Sequence, residues 1–302
     1  MAGGQERVLR RRIRSVQSTK KITKAMELIA ASRIVRAQAR IAANRPYRAG
    51  MQRIVLKAAQ EDPTAAAKLL GTPESPQRVG VLAVVGDRGL AGSYNSAVLR
   101  ATERLVAEHK GRGAEVTLWS VGKKAPSYFR YRGLDLAQSF VGMADRPEFS
   151  DARHVAATVA APFVAGELDV VLLVSTRFIS AGTQRVETQQ LLPLPLPETT
   201  SEEAPAEPTG AHGYTEFEPD AESLLAELAP KATESEIFAA LLEGSASFFT
   251  AQQRAMAAAT ENADELVRTL TRVMNRARQD SITTEIMEIV GGAEALRQSK
   301  GA

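Results

Sequence analysis

Apolar positions near both ends of the chain recur in steps of three and four, whereas its middle holds short continuous apolar runs. Towards the C-terminus the stripe reads Ala263, Leu266, Leu270, Val273 and Ala277, widened by Val267 and Met274. That spacing keeps one helical face apolar and lets it wind slowly round a partner. The stripe slips by five between Ala277 and Ile282, then resumes as Ile282, Ile286, Ile289, Ala293 and Leu296. Such a slip alters local winding without ending a helix. No proline follows Pro230, and Gly244 is the only glycine between Pro230 and Gly291. Strong helix formers fill the remainder, so the pattern predicts one helix over residues 223–302. At the usual rise, ~55–60 such residues reach roughly 80–90 Å, a length that calls for a second helix alongside.

The N-terminal residues supply it. Leu9, Ile13 and Val16, then Ile22, Met26 and Ile29, then Ala37 and Ile41 predict a helix over residues 1–62, interrupted and kinked at Pro46. The two terminal helices are expected to pair antiparallel. Residues 63–77, with Pro63, Pro73 and Pro76, read as a linker. Within 78–195 the runs Val79–Val85, Glu115–Val121 and Leu168–Ser175 read as buried strands, and Arg185–Leu192 as an edge strand. Helices are expected at Ala91–Lys110 and Ala152–Glu167. This alternation predicts a small, mainly parallel, Rossmann-like α/β domain inserted between the arms of a long antiparallel coiled coil. Residues 196–222 are acidic and proline-rich, and read as an exposed, partly mobile loop.

Composition narrows the function more than the fold. The 302 residues contain no cysteine, which excludes a disulfide framework and thiolate chemistry, and their three histidines are scattered without ligand spacing, which argues against zinc or histidine-based catalysis. No apolar run is long enough to span a bilayer, and the arginine-rich start lacks the apolar segment of a signal peptide, so it reads as mature protein. The net charge of +3 conceals a polarity. Residues 1–57 carry fifteen Lys and Arg against Glu6 and Glu27, while no Lys or Arg lies between Arg185 and Lys231.

Three stretches invite a chemical reading. The loop Gly86-Asp87-Arg88-Gly89-Leu90-Ala91-Gly92 follows the first strand, where backbone N–H groups can cradle phosphate. It matches neither phosphate-loop signature, and reads as a tight turn with Asp87 and Arg88 paired to each other. The basic N-terminal helix lacks interleaved aromatics, and Arg10, Arg11, Arg12 and Arg14 cover nearly all its faces. That suits a sleeve of acidic protein loops better than a nucleic-acid groove. Glu285 and Glu288 stand one turn apart, and with no pocket-forming sequence nearby they read as a polar helix face.

Several blocks then resemble a known family in order along the chain. Ile22-Thr23-Lys24-Ala25-Met26-Glu27 with Ala30-Ala31-Ser32, followed by Arg45-Pro46-Tyr47, is similar to the start of the gamma subunit of bacterial F-type ATP synthases. So are Asp87 to Gly92 with Asn95, the run Leu191-Leu192-Pro193-Leu194, and the ending Asn275 to Gln279 with Ser281 to Ala293. The resemblance implies a central rotor shaft that couples proton-driven c-ring rotation to the conformational cycle of the catalytic beta subunits. It implies one copy per complex within a ring of three alpha and three beta subunits, resting on epsilon and the c-ring, at the cytoplasmic face of the plasma membrane. It implies no catalytic residue, cofactor or metal. Carried over by position, Lys24, Met26, Glu27, Arg33 and Arg36 would face an acidic lever loop of beta, and Gln279, Thr283, Glu285 and Glu288 a beta catch loop. Ala232, Phe248, Phe249, Gln252 and Ala257 depart from the family pattern. The alternative from another class is a nucleotide-binding regulatory protein with a coiled-coil arm.

Overall fold

Two long helices, α1 (Ala2–Glu61) and α5 (Ala221–Lys300), flank five strands in the computed structural model, which describes residues 2–63, 75–195 and 220–300. Between them run β1 (Arg78–Val84), α2 (Tyr94–Gly111), β2 (Glu115–Val121), α3 (Lys124–Tyr131), β3 (Gln138–Phe140), α4 (Phe149–Val164), β4 (Val170–Phe178) and β5 (Gln184–Leu192). The chain forms two units, Ala30–Gln252 and Met1–Ile29 with Gln253–Ala302. Residues 196–219 of the expected acidic segment, and residues 64–74 of the expected linker, lie outside the described residues.

In the first unit the sheet order is β3-β2-β1-β4-β5, parallel except for the antiparallel edge strand β5. The central strand β1 is apolar on both faces because both are covered. Val79, Val81 and Ala83 pack with Val98, Leu99 and Phe129 of α2 and α3. Leu82 and Val84 pack with Val155 and Val159 of α4 and with Ile237 and Leu241 of α5. At Gly80 a Cβ would lie 2.9 Å from the Trp119 ring, so the indole fixes that glycine. Within this unit α1 and α5 also pack together, with Met51 and Val55 beside Leu225 and Ala232. Arg48 Nη2 donates to Glu236 Oε2 at 2.7 Å.

In the second unit the two helices run antiparallel, since Lys20 pairs with Asp264 while Thr23 meets Thr260. The buried seam runs through Ile13 and Thr23 on one helix and Met256, Ala263 and Leu270 on the other.

Four expectations need correction. Pro46 does not interrupt α1, because a proline deletes a single backbone donor and its neighbours carry the helix on. The C-terminal helix starts at Ala221, runs through Pro230, and is capped by Asp220, which accepts from the Ser223 N–H at 3.0 Å. The apolar stripe Ile22, Met26, Ile29 is out of phase: Ile22 is 60% and Ile29 52% exposed, and the seam passes instead through Lys20 and Thr23. On α5, likewise, Val267 and Met274 lie inward of Leu266 and Val273. The short elements α3 and β3 escaped the periodicity reading because neither is long enough to show a period.

Candidate functional site

The loop after β1 is the first place to look, since doubly wound sheets bind ligands outside the strand carboxyl ends where the strand order reverses. Here that position lies between β1 and β4. The protein fills it with its own groups. Asp87 does not pair with Arg88. Its carboxylate accepts the backbone N–H groups of Lys123, Gly142 and Ala144, each at 3.0 Å, and so ties together the loops that follow β1, β2 and β3. Asn95 accepts from the Gly86 N–H at 2.8 Å and donates to the Arg88 carbonyl at 2.9 Å. A carboxylate thus holds the donors that a phosphate would need.

Aromatic residues close the same crevice. Phe248 of α5 meets Tyr94 edge-on with ring centroids 5.6 Å apart, and Phe249 follows at 5.4 Å from Phe248. A Cβ at Gly86 would stand 3.0 Å from the Phe248 ring, and one at Gly244 would stand 3.1 Å from the Tyr94 hydroxyl oxygen. Burial pushes the pKa of that hydroxyl well above the ordinary tyrosine range. Phe248 and Phe249, read from sequence as departures at polar positions, are the plug of this crevice. Gln252 is also buried, and Ala257 half-buried.

The candidate partner-contact residues fall into three groups. Lys24 and Glu27 form an i,i+3 ion pair at 3.0 Å, beside the half-buried Met26. Arg33 stands 3.9 Å from the Asp145 carboxylate, with its guanidinium 5.2 Å from the Phe249 ring centroid. Arg36 donates to the Ser32 side chain at 3.1 Å. Gln279, Thr283, Glu285 and Glu288 all lie exposed on α5, where Thr283 donates to the Gln279 carbonyl at 3.0 Å. Along that stretch Ile282, Ile286, Met287, Ile289 and Val290 are exposed as well, large apolar side chains interspersed with threonines and glutamates. An apolar face of that extent marks an interaction surface.

Sequence reading missed the polar layer in the seam. Lys20 meets Asp264, and the Thr23 and Thr260 hydroxyls lie 2.8 Å apart. The available signal was phase. Steps of three and four from Ile13 and Val16 arrive at Lys20 and Thr23 rather than at Ile22. Among the described residues there is no cluster of acidic, His or Cys side chains able to hold a metal ion, and no helix long and apolar enough to cross a membrane.

Comparison with known proteins agrees along the chain. The family described as ATP synthase matches residues 5–296. The ATP synthase gamma chain of Parafrankia sp. strain EAN1pec is 48% identical over 297 residues, covering 97% of this chain and 98% of that one. The gamma chain of Streptomyces coelicolor is 43% identical over 298 residues, with 97% of each covered. Among solved structures, a chain of the Euglena gracilis mitochondrial ATP synthase (OSCP/F1/c-ring) superposes with a TM-score of 0.66 at 17% identity, covering 99% of this chain and 97% of that one. A chain from the central stalk and c-ring of the Tetrahymena thermophila enzyme gives 0.60 at 24% identity, covering 79% and 99%. At those identities the structural likeness speaks for the fold.

Proposed function

The chain belongs to the gamma-chain family of ATP synthases, and from that premise we propose that it is the central rotor shaft of an F-type ATP synthase. It would stand once in a ring of three alpha and three beta subunits, rest on epsilon and the c-ring, and sit peripherally at the cytoplasmic face of the plasma membrane. It would contribute no catalytic group. Rotation of the c-ring would turn the shaft, and its unequal faces would drive the beta subunits in turn through their nucleotide-binding states.

The observation that best supports this reading is the set of exposed apolar side chains from Ile282 to Val290. A helix with isoleucines in water lacks the partner that would repay their exposure, at about 25 cal/mol for each Å² buried. A hydrophobic sleeve of surrounding subunits supplies one. Lys24, Met26, Glu27, Arg33 and Arg36 on α1 would meet an acidic beta loop, and Gln279, Thr283, Glu285 and Glu288 on α5 a second one.

Met26→Lys tests the coupling role in the assembled complex. A new ammonium beside acidic beta groups would gain about 1.5–3 kcal/mol where partly desolvated, favouring one rotary position over the others. Assembly and ATP hydrolysis are then expected to persist while ATP-driven proton pumping falls. Failure to assemble would instead assign Met26 to the helix seam and remove it from the coupling surface.

A further inference from the structure

A cleft of about 560 Å³ opens in the α/β unit beside α1, next to the Asp87 staple, and its lining is dominated by arginine. Arg33, Arg36 and Arg40 lie at positions i, i+3 and i+7 of α1, which places them along one helical face. Arg88 comes from the loop after β1 and Arg146 from the loop before α4. Five guanidiniums therefore share one carboxylate, that of Asp145.

That carboxylate is already used unevenly. Its Oδ2 takes Arg88 Nε at 2.9 Å and Arg33 Nη1 at 3.9 Å. Its Oδ1 is buried without a hydrogen-bond partner. The remaining arginines have only neutral partners or none. Arg36 donates to Ser32, Arg40 donates to the Pro147 carbonyl, and Arg146 makes no ion pair among the described residues. Guanidiniums stay charged at every accessible pH, so the cleft carries an excess of four positive charges that deprotonation cannot relieve.

We propose that this cleft is a binding site for a multivalent phosphate anion. Its volume lies in the range of small-molecule sites, roughly 300–1,000 Å³. Arginine forks match phosphate oxygens two at a time, and forks arriving from three separate segments can hold more than one phosphoryl group. Leu242 and Phe249 add apolar walls that lower the local dielectric and strengthen each contact. The concave shape favours a compact polyanion over an extended acidic segment. The inference goes beyond the rotor reading and does not rest on it. Should both hold, a bound phosphate would compete with acidic partner groups for Arg33 and Arg36.

Calorimetric titration of the purified full chain with sodium tripolyphosphate at fixed ionic strength tests the site. One-to-one binding is expected, weakened about tenfold or more by Arg146→Gln and by Arg40→Gln. Arg112→Gln, which removes a surface pair with Glu108 outside the cleft, should leave it unchanged. Asp145→Asn removes the one carboxylate that lines the cleft among the described residues and should tighten binding several-fold, a gain that no purely structural role for Asp145 produces. Affinity should also rise with pH through the second phosphate ionisation near ~6. Thermal melts of each variant report folding independently. Parallel titrations with ATP and with vesicles containing phosphatidic acid separate a nucleotide or lipid source from free oligophosphate, since only the preferred carrier should gain affinity over tripolyphosphate. Equal weakening by Arg112→Gln, equal displacement by chloride at matched ionic strength, or tighter binding of a glutamate-rich peptide would each overturn the proposal. No alpha or beta subunit is present in this assay, so its failure leaves the rotor reading standing.

Discussion

The two halves of α5 solve opposite problems with similar residues. From Ile237 to Thr250 nearly every position is buried, including Phe248, Phe249 and the hydroxyls of Ser245 and Ser247. From Ile282 to Ala293 every position is exposed, although isoleucines recur there at helical spacing. The first half is packed against a sheet and another helix within its own unit, so small residues such as Ala239, Ala240 and Ala246 let it approach closely. The second half leaves its large apolar residues uncovered among the described residues. Burial in one chain is therefore a poor guide to which residues of a shaft matter.

Truncating the packed half should have the largest effect. Phe248→Ala removes a ring that meets both Tyr94 and Phe249, and is expected to cost about 3–5 kcal/mol, read as a shifted midpoint in urea. A cost under about 1 kcal/mol would mean that the crevice at the sheet edge collapses freely and that the plug is unimportant.

A smaller effect, and one that depends on pH, belongs to the floor of the sheet. Arg78 beside Asp169, together with the N–H groups of Arg78 and Gln77, holds the Asp169 carboxyl below the usual carboxylate range. A depressed folded-state pKa contributes stability that is complete above the unfolded value, about 3.9, and lost as pH falls through the folded value. Acid melts of the full chain should therefore steepen below about pH 4, and Asp169→Asn should flatten that dependence while lowering the melting temperature at pH 7 by a few degrees. An unchanged acid profile would show that the Arg78 pair is screened to insignificance.

The polar layer in the paired helices sharpens the contrast from the other side. Thr23→Val or Thr260→Val alone leaves one hydroxyl without its cross-helix partner and should cost about 1–2 kcal/mol. The double variant should recover most of that loss, because two valines fill the same space without a polar requirement. Strictly additive costs would indicate that each threonine is satisfied by its own helix, through the Lys20 and Met256 carbonyls.

The exposed half of α5 should show the smallest effect on the chain itself. Ile286→Ser is expected to change unfolding free energy by no more than about 0.5 kcal/mol, yet to reduce assembly with alpha and beta subunits, read by native mass. A large loss of stability in the isolated chain would place Ile286 in an internal contact instead.

What the sequence by itself determined was whatever is written locally. A helical period with few breakers was enough for two long terminal helices, and β2 was legible to the residue because Glu115–Val121 is bounded by turn residues. The family blocks at both ends carried the gamma-chain assignment. Tertiary structure decided which face of each helix is inside. Ile22 is more apolar than Thr23, yet Thr23 is buried because Thr260 meets it, and hydropathy cannot see a partner 237 positions away. It also decided that Asp87 serves three backbone donors rather than its neighbour, and that Arg33 and Arg88 converge on Asp145. A side chain's period depends on its neighbours along the chain, whereas its charge partner depends on where the loops between strands end, and that is set only when the sheet is assembled.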